Sequence, residues 1–297
     1  MASKAAAMPP LVESFYDLAT CTFTHVAYDR AGGRAAIVDP VLDFDPSTAR
    51  TSTDSADRVL RFLREHRLAA DWILETHAHA DHLTAASYLK AKTGAQVAIG
   101  RGITLVQQRF SALFGLGPEF PTDGSQFDRL LDEGDTFQIG ELSGRALATP
   151  GHTDDSLTYV IGDTAFVGDT VFAADTGTAR ADFPGGDAHK LYRSIRKLFS
   201  LPEQTRIFLC HDYPPAPREA RAQSSVAEQK SCNVHVGGDV SEESFVRMRT
   251  ARDAKLPAPR LILPSLQVNI RAGALPPPDS NGICYLRLPV NQLGGVR

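Results

Sequence analysis

THAHADH, residues 76–82, begins where the apolar run DWILET (71–76) ends, and packs three of the chain's nine histidines and an aspartate into seven positions. His77, His79 and Asp81 are two apart, so an extended backbone turns them to one side, while His82 is free to point elsewhere. Neutral imidazoles and carboxylates are ligands of first-row metals. A polar loop with chance histidines is a poor account of four ligand-type residues in six positions. The pattern also recurs. ATPGHTDDSLTY (148–159) places His152 in a turn at a strand end, FVGDTVF (166–172) places Asp169 after an apolar strand and a glycine, and FLCHDYPP (208–215) does the same for His211. Each site is weak alone; together they form a metal-binding constellation presented from strand ends.

The rest of the chain supplies the frame. Residues 20–29 and 34–40 read as strands joined by the glycine turn RAGG. Residues 51–68 form an amphipathic helix with Val59, Leu60, Phe62 and Leu63 on its apolar side and polar capping residues before it. Strands are expected at 71–76, 96–100, 135–150, 156–162, 164–170 and 206–213, and helices at 84–94, 189–201 and 241–256. Strands first in hairpins and then alternating with helices indicate an α/β layered domain. The expected division is a flexible leader over 1–11, a catalytic domain over 12–240 and an extension over 241–297 packed on the same domain. Six prolines between 257 and 278 favour extended structure there.

The ordered set His77, His79, Asp81, His82, His152, Asp169 and His211 resembles the metallo-β-lactamase superfamily, whose motifs are H-x-H-x-D-H, a later His, an Asp and a final His. The resemblance covers about residues 12–215 and implies an αββα sandwich with the metal site at one edge of two facing sheets. Within that superfamily, THAHADH, TPGHT, FVGDT, ARADF (179–183), HDY (211–213) and the closing stretch PRLILPSLQVNIRAG (259–273) look like the persulfide dioxygenase family, relatives of the ethylmalonic encephalopathy protein, in a bacterial branch. Two features depart from that pattern: TVFAADTGTA between Asp169 and Arg180 is long, and Ala179 stands where the family has glycine.

Ligand count alone permits two ions, with His77, His79 and His152 at one site, Asp81, His82 and His211 at the other, and Asp169 bridging. Such a binuclear zinc or iron centre suits a glyoxalase II-type thioester hydrolase. The family resemblance implies instead one Fe(II) held by His77, His152 and Asp169, with His79, Asp81, His82 and His211 orienting ligands and water. It also implies glutathione persulfide and O2 as substrates. Arg180 is read as bracing its loop through Asp182 or contacting a glutathione carboxylate, and Tyr213 as a hydrogen-bond donor near the sulfur or a packed ring. Cys210 is read as a buried inert thiol and Asp39 as a turn or supporting residue.

Composition removes other classes. A net charge of −4 gives no basic face for nucleic acid. No apolar run approaches the roughly 18 residues of a membrane span, and the N-terminus reads as neither signal nor transit peptide. Four scattered cysteines without a C-x-x-C pair suit a reducing compartment, so the expected location is the cytoplasm. A homodimer and a functional link to a rhodanese are further expectations.

Overall fold

Consecutive residues of Ala35–Val38 face opposite ways. Ala35 and Ile37 pack outward under helices, while Ala36 and Val38 pack inward against a second sheet. That alternation, apolar on both faces, marks a sheet with no wet side. The computed structural model describes residues 8–293. Its strands are β1 (Leu11–Asp17), β2 (Thr22–Tyr28), β3 (Arg34–Val38), β4 (Val41–Asp45), β5 (Arg50–Ser52), β6 (Ala69–Leu74), β7 (Leu83–Thr84), β8 (Gln96–Gly100), β9 (Arg129–Leu131), β10 (Thr136–Ile139), β11 (Leu142–Ala148), β12 (Leu157–Ile161), β13 (Thr164–Phe166), β14 (Arg206–Phe208) and β15 (Gln223–Ser225). Two six-stranded sheets, β1-β2-β3-β6-β8-β9 and β10 to β15 in sequence order, face each other, and β5-β4-β7 forms a small third sheet. The residues between the large sheets include Val38, Leu74, Phe137, Ile139, Tyr159, Phe166 and Phe208.

Helices cover both outer faces. On the first sheet lie α1 (Asp54–Glu65), α2 (Ala86–Thr93), α3 (Ile103–Phe114) and α7 (Ile262–Asn269), contributing Val59, Leu63, Leu89, Phe110 and Leu266 to one core. On the second lie α4 (Ala188–Leu198), α5 (Val226–Cys232) and α6 (Glu242–Asp253), contributing Leu191, Ile195, Val226 and Phe245. The chain is thus the expected αββα sandwich. Asp187 caps α4 by accepting from the backbone of His189 and Lys190, and Ser241 caps α6 through Ser244. No helix among the described residues is long and apolar enough to cross a membrane.

Three differences from the sequence reading have physical causes. The proline-rich stretch expected to be extended contains α7, because Pro264 lies in its first turn, where a missing N–H removes no helical bond. The strand expected over 206–213 pairs within its sheet only to Phe208. Beyond that the backbone bonds across to β2: Phe23 N donates to Cys210 O (2.7 Å), Asp212 N to Cys21 O (3.2 Å), and Thr22 bridges His211. The polar region 214–240 contains β15 and α5. Of the expected leader, residues 1–7 lie outside the described residues, and Leu11 opens β1.

The seam between the two sheets includes a buried imidazole. His25 Nε2 donates to Leu209 O (2.9 Å), and its Nδ1 accepts from Ser14 Oγ (2.9 Å). Burial lowers its pKa from the ordinary 6.5 to about 4, partly offset by the Leu209 bond and Asp39. Above pH 6.5 the ring is neutral in both folded and unfolded chains and adds no pH dependence. As pH falls from 6.5 towards 4 the unfolded chain takes up the proton first, so stability is lost over that window, by about 3 kcal/mol at its acid end. Urea midpoints measured from pH 7 to 4.5 should therefore fall more steeply in the native protein than in His25→Gln; equal slopes would remove His25 as the cause. A second buried residue, Asn269 at the end of α7, donates to His79 O and His82 O (both 2.8 Å) and accepts from Thr84 N (2.9 Å). Asn269→Ala leaves three buried backbone groups unpaired and should destabilise the fold by about 3 kcal/mol, read from the urea midpoint.

Candidate metal centre

β3 and β6 are parallel neighbours, so the residues that follow them emerge side by side. Asp39, in the left-handed region at φ 49°, turns its carboxylate onto the next loop. Its Oδ1 accepts from Thr76 N (2.7 Å) and its Oδ2 from Thr76 Oγ1 (2.9 Å). Asp155 Oδ2 accepts from Ala78 N (2.8 Å), between two of the histidines, and Asn269 holds the carbonyls of His79 and His82. The ligand loop is therefore fixed at both ends and in its middle by side chains from distant parts of the chain.

The other ligands arrive at strand ends. His152 follows β11, and Gly151 before it, at φ 138°, lies so close to α4 that an added Cβ would meet Leu191 N at 2.2 Å. Asp169 follows β13, where Gly168 at φ 51° lets the backbone pass Thr76; a Cβ there would meet Thr76 Oγ1 at 2.5 Å. His211 follows β14 on the seam with β2.

Outward partners fix which nitrogen of each ring faces the centre. Thr76 Oγ1 gives its proton to Asp39 and accepts from His77 Nδ1 (3.1 Å). His152 Nδ1 donates to Arg180 O (2.7 Å) and His211 Nδ1 to Cys21 O (3.2 Å). His79 Nε2 lies 3.1 Å from Asp39 Oδ1. Nε2 of His77, His152 and His211 and Nδ1 of His79 are left with their lone pairs inward, the arrangement that metal-ligating histidines require. His77 Nε2 and His152 Nε2 lie 3.9 and 3.6 Å from Asp169 Oδ2. His211 Nε2 lies 3.3 Å from Asp169 Oδ1 and 3.2 Å from Asp81 Oδ2.

All seven expected residues come together. They form overlapping groups, His77, His152 and Asp169; His79, Asp81, His82 and His211; and His79, Asp169 and His211 with Cys210, the ligand atoms of each lying within 4.8 Å of one another. His79 lies between the groups: its ring centroid is 3.9 Å from that of His77, and it groups with Asp169 as well as with Asp81, His82 and His211. Buried atoms without a hydrogen-bond partner concentrate here: His77 Nε2, both nitrogens of His79 and His82, Asp81 Oδ2, Asp169 Oδ1 and His211 Nε2. Buried polar atoms are normally paired, so a shared cation fits this donor set. Burial, reinforced by neighbouring imidazoles, holds His77 and His79 well below the usual histidine range, and hence neutral. Burial raises Asp169. For His211 burial works downward but Asp169 and Asp81 together raise it; for Asp81 burial works upward but His211 and His82 hold it well down. Cys210 lies near His79, Asp169 and His211, yet burial and Asp39 push its thiol far up.

A cavity of about 520 Å³ opens over His152, Asp169 and Asp81, with Phe44, Phe172, Phe183 and Tyr213 in its wall. Phe183 packs edge-on to His152 at 5.1 Å, and Tyr213 stacks on His211 at 5.9 Å. Arg180 is a brace: Nε and Nη2 donate to the two oxygens of Asp182 (2.6 and 2.8 Å), and Nη1 donates to Pro257 O (2.6 Å). Tyr213 is 46% exposed. Asp155 and Asn269 were not singled out in the sequence. Asn269 carried a signal, the asparagine of the closing N-x-x-x-G stretch; Asp155 carried none.

The metallo-β-lactamase superfamily model matches residues 20–211. A Burkholderia pseudomallei protein named probable metallo-hydrolase is 52% identical over 95% of this chain and 99% of its own length. Glyoxylase B2 of Dictyostelium discoideum is 46% identical over 95% and 97%. The mitochondrial persulfide dioxygenase ETHE1 of Bos taurus is 30% identical over 91% and 92%. Among solved structures, ETHE1 from Myxococcus xanthus superposes with a TM-score of 0.71 at 31% identity, covering 89% of this chain and all of that one. This chain belongs to the metallo-β-lactamase superfamily, with persulfide dioxygenases among its relatives.

Proposed function

We propose that the protein is an iron-dependent persulfide dioxygenase that converts glutathione persulfide and O2 to glutathione and sulfite. The observation that supports this reading is the grouping of His77, His152 and Asp169 beside an open cavity. Two histidines and one carboxylate on one side leave positions for two reactants, the ligand pattern of non-haem iron oxygenases. Iron bound there would supply the activation of O2 next to the sulfur. The relatives named as persulfide dioxygenases support the same activity.

The chain's own residues do the rest. Arg180 O and Thr76 Oγ1 hold His152 and His77 with Nε2 inward, and Asp39 lies 3.1 Å from His79 Nε2 on its outer side. In the second group Asp81 and His211 already lie within 3.2 Å of each other, which suits a role in orienting Asp169 and bound water. Phe172 and Phe183 make part of the cavity wall apolar, and the Tyr213 ring stacks on His211. Oxidising the outer sulfur to sulfite removes four electrons and O2 accepts four. Glutathione persulfide, O2 and water thus give glutathione, sulfite and two protons, without an external reductant.

A second reading has its own support. His79, Asp81, His82 and His211 form a compact four-residue donor group, which with the first group would make a binuclear hydrolase for glutathione thioesters, as the glyoxylase name of one relative suggests.

Anaerobically iron-loaded protein should consume O2 and release sulfite on addition of glutathione persulfide, and His152→Ala should reduce this to background. No uptake by protein of confirmed iron content, with hydrolysis of S-lactoylglutathione by zinc-loaded protein, would transfer the assignment to the hydrolase. Metal stoichiometry separates the two independently. One iron per chain, lost in Asp169→Ala and kept in Asp81→Ala, is the expected result; two ions per chain, one lost in Asp81→Ala, is the hydrolase result.

A further inference from the structure

Arg249 and Asp253, one turn apart on α6, form an ion pair that is almost entirely buried, at 2% and 4% exposure. Arg249 Nε donates to Asp253 Oδ1 (2.8 Å), and Nη2 lies 2.6 Å from the same oxygen. Taking two charges out of water costs about as much as their attraction returns, and apolar residues of the same volume hold a fold about as well. The pair therefore calls for a role beyond stability, and its outward contacts supply one. Arg249 Nη1 donates to Thr178 O (3.0 Å), and Asp253 Oδ2 accepts from Ala181 N (2.8 Å). That N–H belongs to the same peptide group as Arg180 O, which accepts from His152 Nδ1 (2.7 Å). A peptide group is planar and rigid, its N–H and C=O pointing in opposite directions, so holding one end aims the other. A carboxylate at the N–H end also polarises the group and strengthens its carbonyl as an acceptor.

We propose that Asp253, held by Arg249, is a positioning residue for the metal centre: through the peptide between Arg180 and Ala181 it aims the His152 ring and strengthens its inward nitrogen as a ligand. The line runs from guanidinium to carboxylate, peptide, imidazole and ion. The same side of the molecule fixes the course of the long segment TVFAADTGTA that precedes Arg180. Gln229 Nε2 donates to Phe172 O (2.8 Å) and Asn233 Nδ2 to Gly177 O (2.9 Å). Thus α5 with its cap Asn233 holds the beginning and middle of the segment, and α6 holds its end where it meets His152. The inference rests on His152 as a metal ligand, which both candidate activities share.

The test is metal binding, read without turnover. Affinity for Fe(II) is measured by anaerobic competition with a chelator, and ligand geometry by the visible spectrum of cobalt(II)-loaded protein. Native protein is compared with R249M/D253L, with H152A and with the three changes combined. R249M/D253L exchanges the pair for apolar side chains and should keep the native urea midpoint. It should bind iron about tenfold more weakly, the scale of a lost supporting contact, and shift the cobalt spectrum. On the His152→Ala background the same exchange should cost no further affinity, because both changes act on one ligand. D253N, whose amide has one acceptor oxygen to divide between Arg249 and Ala181 N, should fall between. Native iron affinity and cobalt spectrum in R249M/D253L, or an equal loss with and without His152, would overturn the proposal and leave the pair a part of the fold only. Should R249M/D253L not fold, D253N decides by the same two readouts. Native iron affinity in H152A would end the reading of His152 as a ligand and this proposal with it. The expected responses in protein that consumes no O2 would end the dioxygenase reading and leave this one standing.

Discussion

Burying five imidazoles and two carboxylates in one place is unfavourable unless the side of each facing away from the centre is satisfied and the facing sides share a cation. Much of this structure answers to that constraint. Asp39 leaves the ordinary backbone region to receive Thr76 and stand beside His79. Asp155 reaches from the turn after His152 to hold Ala78 N. Backbone carbonyls of Arg180 and Cys21 orient two of the rings from opposite sides of the cluster. Removing any of these supports frees a ring to rotate, because the inward nitrogens have no protein partner.

The sandwich brings these supports together. Parallel pairing of β3 with β6 puts Asp39 beside the histidine loop, and β13 beside β14 puts Asp169 next to His211. The two sheets are then joined where residues 209–212 bond to β2. That join passes through His25 and carries His211, so the geometry of the centre and the acid sensitivity of the fold meet in one stretch of backbone. The cavity is built differently, from the long segment after Asp169 and the chain after residue 240. The cavity wall and the cluster thus come largely from different segments and meet at Asp81, His152 and Asp169.

Much of this was legible in the sequence because it is written locally. Four short segments, each after an apolar run, named all seven clustered residues, and the alternation of strands with helices named the layers. What escaped notice depends on distance. Asn269 lies 187 positions from His82, whose carbonyl it holds, and Asp155 lies 77 positions from Ala78, whose amide it receives. The approach of Asp39 to His79 is a contact that spacing within THAHADH cannot express. The helix α7 was hidden by proline count, since a proline's effect depends on which turn it occupies.

Asn269 has a consequence for how the molecule comes into being. The loop bearing four of the clustered residues is made early, yet the side chain that fastens its carbonyls follows 190 positions after His79 and 187 after His82. During synthesis from the N-terminus, the sheets can pair and the histidines can approach one another long before that clamp exists. A nascent chain therefore carries an incompletely seated loop until residue 269 has been made. The ligand loop is thus made early and fastened late, by a residue 190 positions beyond His79.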